Sequence, residues 1–249
     1  MTIPDYIHAM VRRTAPPGAP VVPSSTPVVS FGDPKLARVA TLGINPSARE
    51  FQEDGLLLRG SARRLATLES LGADSCDLLT DEQVAKVVAE CSSYFRRRPN
   101  RNWFNPFDKL LRESIEASYY DGSACHLDLI QWSTNPVWGK ICDTKCRGAL
   151  LSDGVGHLRT QLANESFRLV LLNGREVVDQ VVEMGLTNLW DVGELCFRDV
   201  GCRLFVGDGG GRLWMGWSTN LQSSFGVSRE FKARLADWLG RAATRRCAR

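Results

Sequence analysis

The feature that most constrains this chain is an apolar run that ends abruptly in a polar loop. Four mainly apolar residues, Val-Ala-Thr-Leu, continue directly into Gly43-Ile44-Asn45-Pro46-Ser47. Gly43 lets a ligand approach the backbone closely, and Pro46 fixes its own φ and favours an extended Asn45. The run is predicted to be a buried strand that delivers this loop. Because the Asn45 amide can donate and accept hydrogen bonds at once, the loop could hold a water molecule. The alternative is a strand followed by an ordinary Asn-Pro turn.

The length and composition predict one α/β domain with additions at both ends. The chain has 249 residues, of which 43% are hydrophobic, and this is enough to build a sizeable core. Residues 14–27 carry five prolines among small residues, so this segment is expected to wrap the surface or stay mobile. We predict a Pro-rich N-terminal arm over residues 1–29, a folded domain over 30–240 and a basic C-terminal tail over 241–249.

The pattern of apolar residues alternates between strands and helices. After the apolar run that starts at residue 39, further strand candidates are Cys125 to Ile130, Leu169 to Leu172, and Leu204 to Val206 with a hairpin partner at Leu213 to Trp217. Helices are predicted over Ala62 to Leu71, after a capping box at Thr80 to Gln83, and after Asn105-Pro106. Such alternation predicts a mostly parallel sheet covered on both faces, which binds ligands beyond the carboxyl ends of its strands. Gly207 to Gly211 has no following lysine and is predicted to be a hairpin turn, not a phosphate loop.

The net charge of +3 is small, but the arginines are clustered, and clustered arginines suit a phosphate backbone. One cluster, Arg96, Arg97, Arg98 and Arg101, is followed by Trp103 and Phe104. We assign Arg97, Arg98 and Arg101 of this cluster to DNA binding. A solvated surface is the alternative, and we favour it for the C-terminal arginines.

The cysteines indicate a reducing compartment. Eight cysteines are scattered along the chain, and no apolar stretch is long enough to span a bilayer. Cys142 and Cys146 are one helical turn apart, but no second pair or nearby histidine completes a metal site. We therefore expect a cytoplasmic protein without a metal.

Four segments, in this order, resemble the uracil-DNA glycosylase superfamily, most closely its mismatch-specific branch. Residues 43–47 are similar to the Gly-Ile-Asn-Pro-Gly water-positioning motif, and Trp103 to Leu111 resembles the aromatic helix that follows it. His126 to Ile130, with Ser133-Thr134-Asn135-Pro136, resembles the strand and loop that carry the base-reading side chain. Trp217 to Leu221, with Val227-Ser228 and a helix, is similar to the second motif.

The resemblance implies a fold, an activity and a partner. The fold would be a three-layer α/β/α sandwich around a central, mostly parallel four-stranded sheet. The protein would be a monomeric DNA glycosylase that needs no cofactor or metal and acts on a base flipped out of duplex DNA.

Cleavage of an N-glycosidic bond needs a positioned water and a pocket for the flipped base. Asn45 is the candidate for positioning the water, and Gly43, Ile44, Pro46 and Ser47 would line the substrate site. Phe51 is the nearest candidate for stacking on the base, with core packing as the alternative. Glu50, Glu53 and Asp54 could supply a base, although a surface role is the prediction favoured for each.

Two departures from the family pattern point away from plain uracil. Asp128 stands where relatives carry Asn or Lys. An ionised carboxylate only accepts hydrogen bonds, so it suits the exocyclic amine of cytosine, whereas a protonated one could donate to a ring nitrogen. The alternative is an Asp that caps a neighbouring helix. Trp217 stands where the second motif has His or Asn, and indole cannot shuttle a proton.

These departures give a leading hypothesis and two alternatives. We expect a monofunctional glycosylase for a modified cytosine, as in enzymes of the superfamily that act in phage defence. The alternatives are a uracil or hypoxanthine repair enzyme and a DNA-binding relative that has lost catalysis. Trp217 and Ser218 would contact substrate. Leu221 would wedge into DNA or anchor its loop, with DNA contacts also expected from Asn220, Gln222 and Ser223.

Overall fold

The structure is a computed structural model that describes residues 2–197, 200–222 and 227–247. Its helices are α1 (Asp5–Val11), α2 (Leu68–Leu71), α3 (Asp81–Ser92), α4 (Arg101–Ile115), α5 (Thr144–Asn164), α6 (Arg175–Glu183) and α7 (Arg229–Cys247). Its strands are β1 (Val39–Gly43), β2 (Gln52–Glu53), β3 (Leu56–Leu57), β4 (Ala124–Asp128), β5 (Leu169–Asn173), β6 (Leu189–Phe197), β7 (Val200–Gly209) and β8 (Arg212–Trp217). β2 and β3 form a separate small hairpin.

The central sheet confirms the α/β class but not the strand count. Among the described residues it has six strands in the order β4-β1-β5-β8-β7-β6. β1 pairs with β5 and β5 with β8 in parallel, whereas β8, β7 and β6 are joined by antiparallel pairing. The four strands implied by the resemblance are too few, because β7 and β6 extend the sheet beyond β8. The apolar pattern predicted part of β7 at Leu204 to Val206 but did not predict β6. A hairpin turn joins β7 and β8 as predicted, but it is shorter than Gly207 to Gly211. Gly207 to Gly209 belong to β7, and the turn contains Gly210 and Gly211, both at positive φ.

The chain divides into two compact units. The first contains residues 2–35, 43–99 and 126–165, and the second contains residues 36–42, 100–125 and the described residues from 166 onward. In the second unit, α4 and α7 pack together, and α4 buries Phe104, Phe107, Leu110 and Leu111.

In the first unit, the N-terminal segment is packed into the core. α1 buries Ile7, Met10 and Val11. Further along, the backbone N–H of Val22 donates to the Ser133 carbonyl at 2.9 Å, and Asn135 N–H donates to the Pro20 carbonyl at the same distance. The Pro-rich segment is therefore held against residues 133–135.

Three helix predictions had different outcomes. The capping box is confirmed, because Thr80 Oγ1 accepts from Gln83 N–H and Gln83 Oε1 accepts from Thr80 N–H. The helix predicted over residues 62–71 is wrong in extent, since only Leu68–Leu71 is helical, with its own capping box at Thr67. The helix predicted to start at Asn105-Pro106 begins earlier, at Arg101, and Pro106 lies inside it. The predicted end of the folded domain at residue 240 falls inside α7, which continues to Cys247.

Candidate active site

The Asn45 side chain is held by the loop that follows β4. Its Nδ2 donates to Thr134 Oγ1 at 2.9 Å, with longer contacts to the Trp132 carbonyl at 3.4 Å and the Pro46 carbonyl at 3.3 Å. Thr134 and Trp132 are buried, so the partners of the amide are fixed by packing.

These contacts determine which way the Asn45 amide points. Two of its three neighbours are carbonyl oxygens, which only accept, so the atom facing them must be the nitrogen. Among the described residues, Asn45 Oδ1 receives no hydrogen bond, and the residue is half-buried. The oxygen can therefore accept from a water or a ligand, as the sequence-based role requires.

Asp128 forms a buried pair with a histidine. His126 and Asp128 are 6% and 5% exposed, and His126 Nε2 lies 3.4 Å from Asp128 Oδ1. A β-carbon on Gly43 would lie 2.6 Å from Asp128 Oδ1 and 2.9 Å from His126 Nε2. Gly43 is thus required here because the two side chains occupy the space of its missing side chain.

Backbone hydrogen bonds tie this pair to the Asn45 loop. Leu129 N–H donates to the Gly43 carbonyl at 3.0 Å, and Ile130 N–H donates to the Ile44 carbonyl at 2.9 Å. Residues 43–45 therefore carry the Asn45 amide next to a segment that carries the His126 and Asp128 side chains. The sequence-based prediction omitted His126, although residues two apart on a strand face the same side.

Glu50 is a buried carboxylate, which corrects its predicted surface role. It is 2% exposed, and Tyr94 Oη donates to its Oε2 at 2.5 Å. Glu53 and Asp54 are exposed. Glu50 is thus a buried carboxylate five residues after Asn45.

The other predicted substrate contacts around Asn45 vary in exposure. Ile44 and Ser47 are half-buried and Pro46 is buried. Ser47 Oγ accepts from Arg49 N–H and caps a 3-10 turn. Phe51 is 1% exposed, so in this conformation it packs in the core and offers no ring face to a base.

In the second unit, Asn173 organises the segment that resembles the second motif. Its Oδ1 accepts from Trp217 Nε1 at 3.1 Å and from Leu221 N–H at 3.0 Å. Its Nδ2 donates to Asn220 Oδ1 at 3.2 Å and to Gln222 Oε1. Sequence reasoning missed Asn173, although a polar residue at the end of an apolar strand was the available signal.

The motif residues that Asn173 holds are mostly buried or occupied. Trp217 is fully buried and packs edge-on against Phe107, with ring centroids 5.6 Å apart. Ser218 Oγ accepts from Arg203 N–H at 2.9 Å. Leu221 is 2% exposed, so it anchors its loop in this conformation and does not project as a wedge. The predicted contact Ser223 lies outside the described residues.

The predicted DNA-binding arginines have different surroundings. In the first unit, Arg97 forms an ion pair with Glu90 at 2.9 Å, and Arg98 donates to the Ser61 carbonyl at 3.3 Å. In the second unit, Arg101 is exposed and lies over the Tyr120 ring, 5.0 Å from its centroid. Arg97 is therefore partly neutralised, whereas Arg101 is accessible to an anion.

The fold and the site define an α/β protein with a polar loop beyond a central strand. No protein-family model and no curated protein matches this chain. Within the described residues, no helix has both the length and the apolar character needed to cross a membrane. The same part of the chain has no group of three or more His, Cys, Asp or Glu side chains placed to hold a metal ion.

Proposed function

We propose that this protein is a monofunctional DNA glycosylase that hydrolyses the N-glycosidic bond of a flipped, amino-bearing base, with a modified cytosine as the expected substrate. The fold would then be a six-stranded variant of the uracil-DNA glycosylase architecture. Excision of such a base from viral DNA would make the protein an antiviral defence enzyme.

The observation that carries this proposal is the contact of Gly43 with His126 and Asp128. It brings the predicted base-reading carboxylate to the loop that holds the predicted water-positioning amide, although the two segments are more than 80 residues apart in the sequence. Buried titratable groups beside a polar loop are a common feature of catalytic sites.

The chemistry follows from the hydrogen-bonding capacity of each group. The Asn45 amide oxygen accepts from the attacking water and directs its oxygen at the sugar C1′. The bond from C1′ to the base breaks, and its electron pair leaves with the base, which then takes up a proton from bulk water. The water oxygen forms the new bond to C1′ and gives up one proton, for which Glu50 is the candidate acceptor.

Asp128 and His126 would act on the base. The carboxylate accepts a hydrogen bond from the exocyclic amine of a cytosine-type base, whereas it repels the carbonyl oxygen that uracil has at the same position. His126 Nε2 lies 3.4 Å from Asp128 Oδ1, so the imidazole would hold the carboxylate in place beside the base.

The decisive experiment incubates the protein with duplexes that contain cytosine, 5-substituted cytosines, uracil or hypoxanthine, and with modified phage DNA. Abasic sites are detected by strand cleavage in hot alkali. Asn45→Ala should lower the excision rate about 100-fold, because misplacement of a reacting group has costs of this order. Asn164→Ala is the matched control, since Asn164 is an exposed asparagine that donates to the Thr160 carbonyl. No abasic sites on any substrate would refute the proposal.

Base preference tests Asp128 separately. Asp128→Asn should weaken excision of cytosine-type bases and increase that of uracil, since an amide can donate to a carbonyl oxygen. A dominant wild-type activity on uracil or hypoxanthine would instead support a repair enzyme. An unchanged preference in the variant would remove Asp128 from base reading.

A DNA-binding protein without catalysis is the second candidate function. The observation that favours it is the full burial of Trp217, whose indole N–H is occupied by Asn173. Binding to duplex DNA without formation of abasic sites on any substrate would support this candidate.

A further inference from the structure

One face of α4 carries a line of polar and positively charged side chains. Arg101, Asn105, Lys109 and Arg112 follow at spacings of four, four and three residues, which places them on one side of the helix. All four are exposed, whereas the buried face of α4 consists of Phe104, Phe107, Leu110 and Leu111. This polar face is therefore not required by the core.

The same face borders a cavity of about 420 Å³ within the second unit. The cavity is lined by Arg101, Asn105, Asp108, Lys109, Arg112, Ser118 and Tyr120. Its volume lies in the range of pockets that bind small molecules or parts of larger ligands.

The carboxylate in the cavity wall is already occupied. Asp108 is 3% exposed and accepts from Ser118 Oγ at 2.7 Å and from Tyr119 N–H at 2.9 Å. Arg112 Nε lies 3.1 Å from its other oxygen. Asp108 is thus compensated by three donors, and it repels an anion less than an unpaired carboxylate would.

Two other groups of the cavity wall, Asn105 and Lys109, have donors that can face a ligand. Tyr120 Oη donates to Asn105 Oδ1 at 2.5 Å, so the Asn105 amide nitrogen is left as a donor. Lys109 is 63% exposed, and its ion pair with the exposed Glu113 is long, at 3.5 Å. Exposed ion pairs of this kind contribute little free energy, so Lys109 can exchange Glu113 for another anion.

We propose that this cavity and the polar face of α4 that borders it bind the phosphodiester backbone of a nucleic acid strand, with one phosphate at Arg101 and one at Lys109. Arginine, lysine and amide donors together match phosphate oxygens. From Arg101 to Arg112 the polar face of α4 is about 16 Å long, at about 1.5 Å per helical residue. This is about the rise of five nucleotides of one DNA strand, at about 3.4 Å each. The inference rests on the proposed function only for the identity of the nucleic acid as the DNA that carries the excised base.

The test measures binding of the full chain to a labelled duplex without any removable base, by fluorescence anisotropy between ~50 and ~200 mM salt. Arg101→Gln/Lys109→Gln should bind the duplex about tenfold more weakly or worse. The slope of log K against log salt should fall by about 1.8, because each neutralised phosphate contributes about 0.9. The charge-preserving Arg101→Lys/Lys109→Arg should restore both quantities.

The matched control is Lys86→Gln/Arg241→Gln, which also removes one arginine charge and one lysine charge but away from the cavity. Lys86 and Arg241 are exposed and pair with carboxylates four residues away, at 3.0 and 2.8 Å. Unchanged binding by the control supports the cavity. An equal loss in both double variants would show a general charge effect and would overturn the inference, as would wild-type binding by Arg101→Gln/Lys109→Gln.

Two further measurements distinguish a site for a nucleic acid strand from a site for a free anion or for a protein. Inorganic phosphate should compete with the duplex only weakly. Tight phosphate binding with which the duplex does not compete would overturn the inference in favour of a free anion. Preferred binding of an acidic peptide would overturn it in favour of a protein partner. Failure of the proposed function would instead appear as duplex binding that still depends on the cavity, without abasic sites on any substrate.

Discussion

At Gly43, an added β-carbon would lie within 3 Å of both Asp128 Oδ1 and His126 Nε2. Both side chains are buried and cannot move aside into solvent. Gly43→Ala should therefore lower the free energy of unfolding by about 1–3 kcal/mol, the usual cost of overpacking, and should abolish most excision activity. Denaturant melts and abasic-site assays measure the two effects.

Gly148→Ala is the control for the glycine substitution. Gly148 lies within α5, and its added β-carbon would meet nothing within 4 Å. This change should raise stability by about 0.5–1 kcal/mol, because alanine is the better helix former. A Gly43→Ala variant as stable and active as wild type would show that the His126 and Asp128 side chains are not fixed beside the loop.

For Leu221 the sequence left two roles open, a wedge into DNA and an anchor of its loop, and the structure favours the anchor. Leu221 is 2% exposed, and its N–H is bound by Asn173, so it is an anchor and not a wedge. Leu221→Ala should lower the free energy of unfolding by about 2–5 kcal/mol, as for other buried leucines. Excision should fall equally on duplex and single-stranded substrates. The measurement is a thermal melt together with rates on both substrates.

The matched control is Leu78→Ala, because Leu78 is 68% exposed and should contribute little to stability. A loss confined to duplex substrate, with an unchanged melting temperature, would contradict the anchor and restore the wedge.

How far single residues could be predicted depended on whether their partners are near in sequence. Asn45 was identified as a candidate because Gly43 and Pro46 flank it, and the structure orients its amide with Oδ1 available. Its partner Thr134 could not be derived from the local pattern, because it is 89 residues away. The burial of Glu50 was missed because its partner Tyr94 is 44 residues away.

At the scale of elements, the N-terminal segment supports the loop that holds Asn45. Arg13 follows α1 and is bound inside the first unit, donating to Gln131 Oε1 at 2.8 Å and lying 3.1 Å from Asp153 Oδ2. Its guanidinium lies 5.7 Å from the Trp132 ring centroid. Burial lowers the pKa of Arg13 to about 10, so it stays charged at neutral pH.

Arg13→Ala should therefore lower the free energy of unfolding. The loss should stay below the cost of about 3–5 kcal/mol for a fully buried ion pair, because the Asp153 side chain is 23% exposed and can be hydrated. We also expect slower excision, since Gln131 and Trp132 belong to the segment that contacts the Asn45 amide. Denaturant melts and single-turnover rates check both effects.

Arg12→Ala is the neighbouring control, because the Arg12 side chain is 32% exposed and pairs with the exposed Asp81. It should change stability by about 1 kcal/mol or less. A similar loss in both arginine variants would mean that Arg13 does not act through residues 131–134.

Elements with local signals were predicted better than elements without them. The box at Thr80 and Gln83 starts α3 because both of its hydrogen bonds form between residues three apart. Ala62 to Leu71 has a helical apolar pattern, but the Thr67 cap starts a new helix inside it. For α4, the Asn105-Pro106 pair predicts a start that is too late, because the N-cap is Asn100. The Asn100 side chain makes no capping hydrogen bond, so the true start has no capping-box signal in the sequence.

At the scale of the whole chain, alternation of strands and helices was enough to predict the α/β class. The parallel order of β1, β5 and β8 follows from buried apolar runs separated by helices. β6 was not predicted, because its residues Leu189 to Phe197 include Asp191, Gly193 and Glu194, and Trp190 and Val192 are exposed. An edge strand of this kind lacks a regular apolar face and is defined by its pairing with β7.

The dependence of stability on pH is a property of the whole chain, and one part of it comes from His157 on α5. Burial lowers the pKa of His157 below its ordinary value of 6.5, the positive charge of Arg13 lowers it further, and Asp153 opposes this. Below pH ~6.5 the unfolded chain therefore binds a proton that the folded chain resists, so the free energy of unfolding decreases as the pH falls.

His157→Gln should remove this part of the acid destabilisation. Above pH ~6.5 the variant and the wild type should differ only by the packing of the new side chain. As the pH falls below this value, the wild type should lose stability relative to the variant. The measurement is a series of denaturant melts from neutral to mildly acidic pH. His8→Gln is the control, because it removes another half-buried histidine, which lies beside Asp81 on α3. Parallel curves of unfolding free energy against pH for wild type and His157→Gln would contradict this expectation. They would show that His157 has the same pKa in the folded and the unfolded chain.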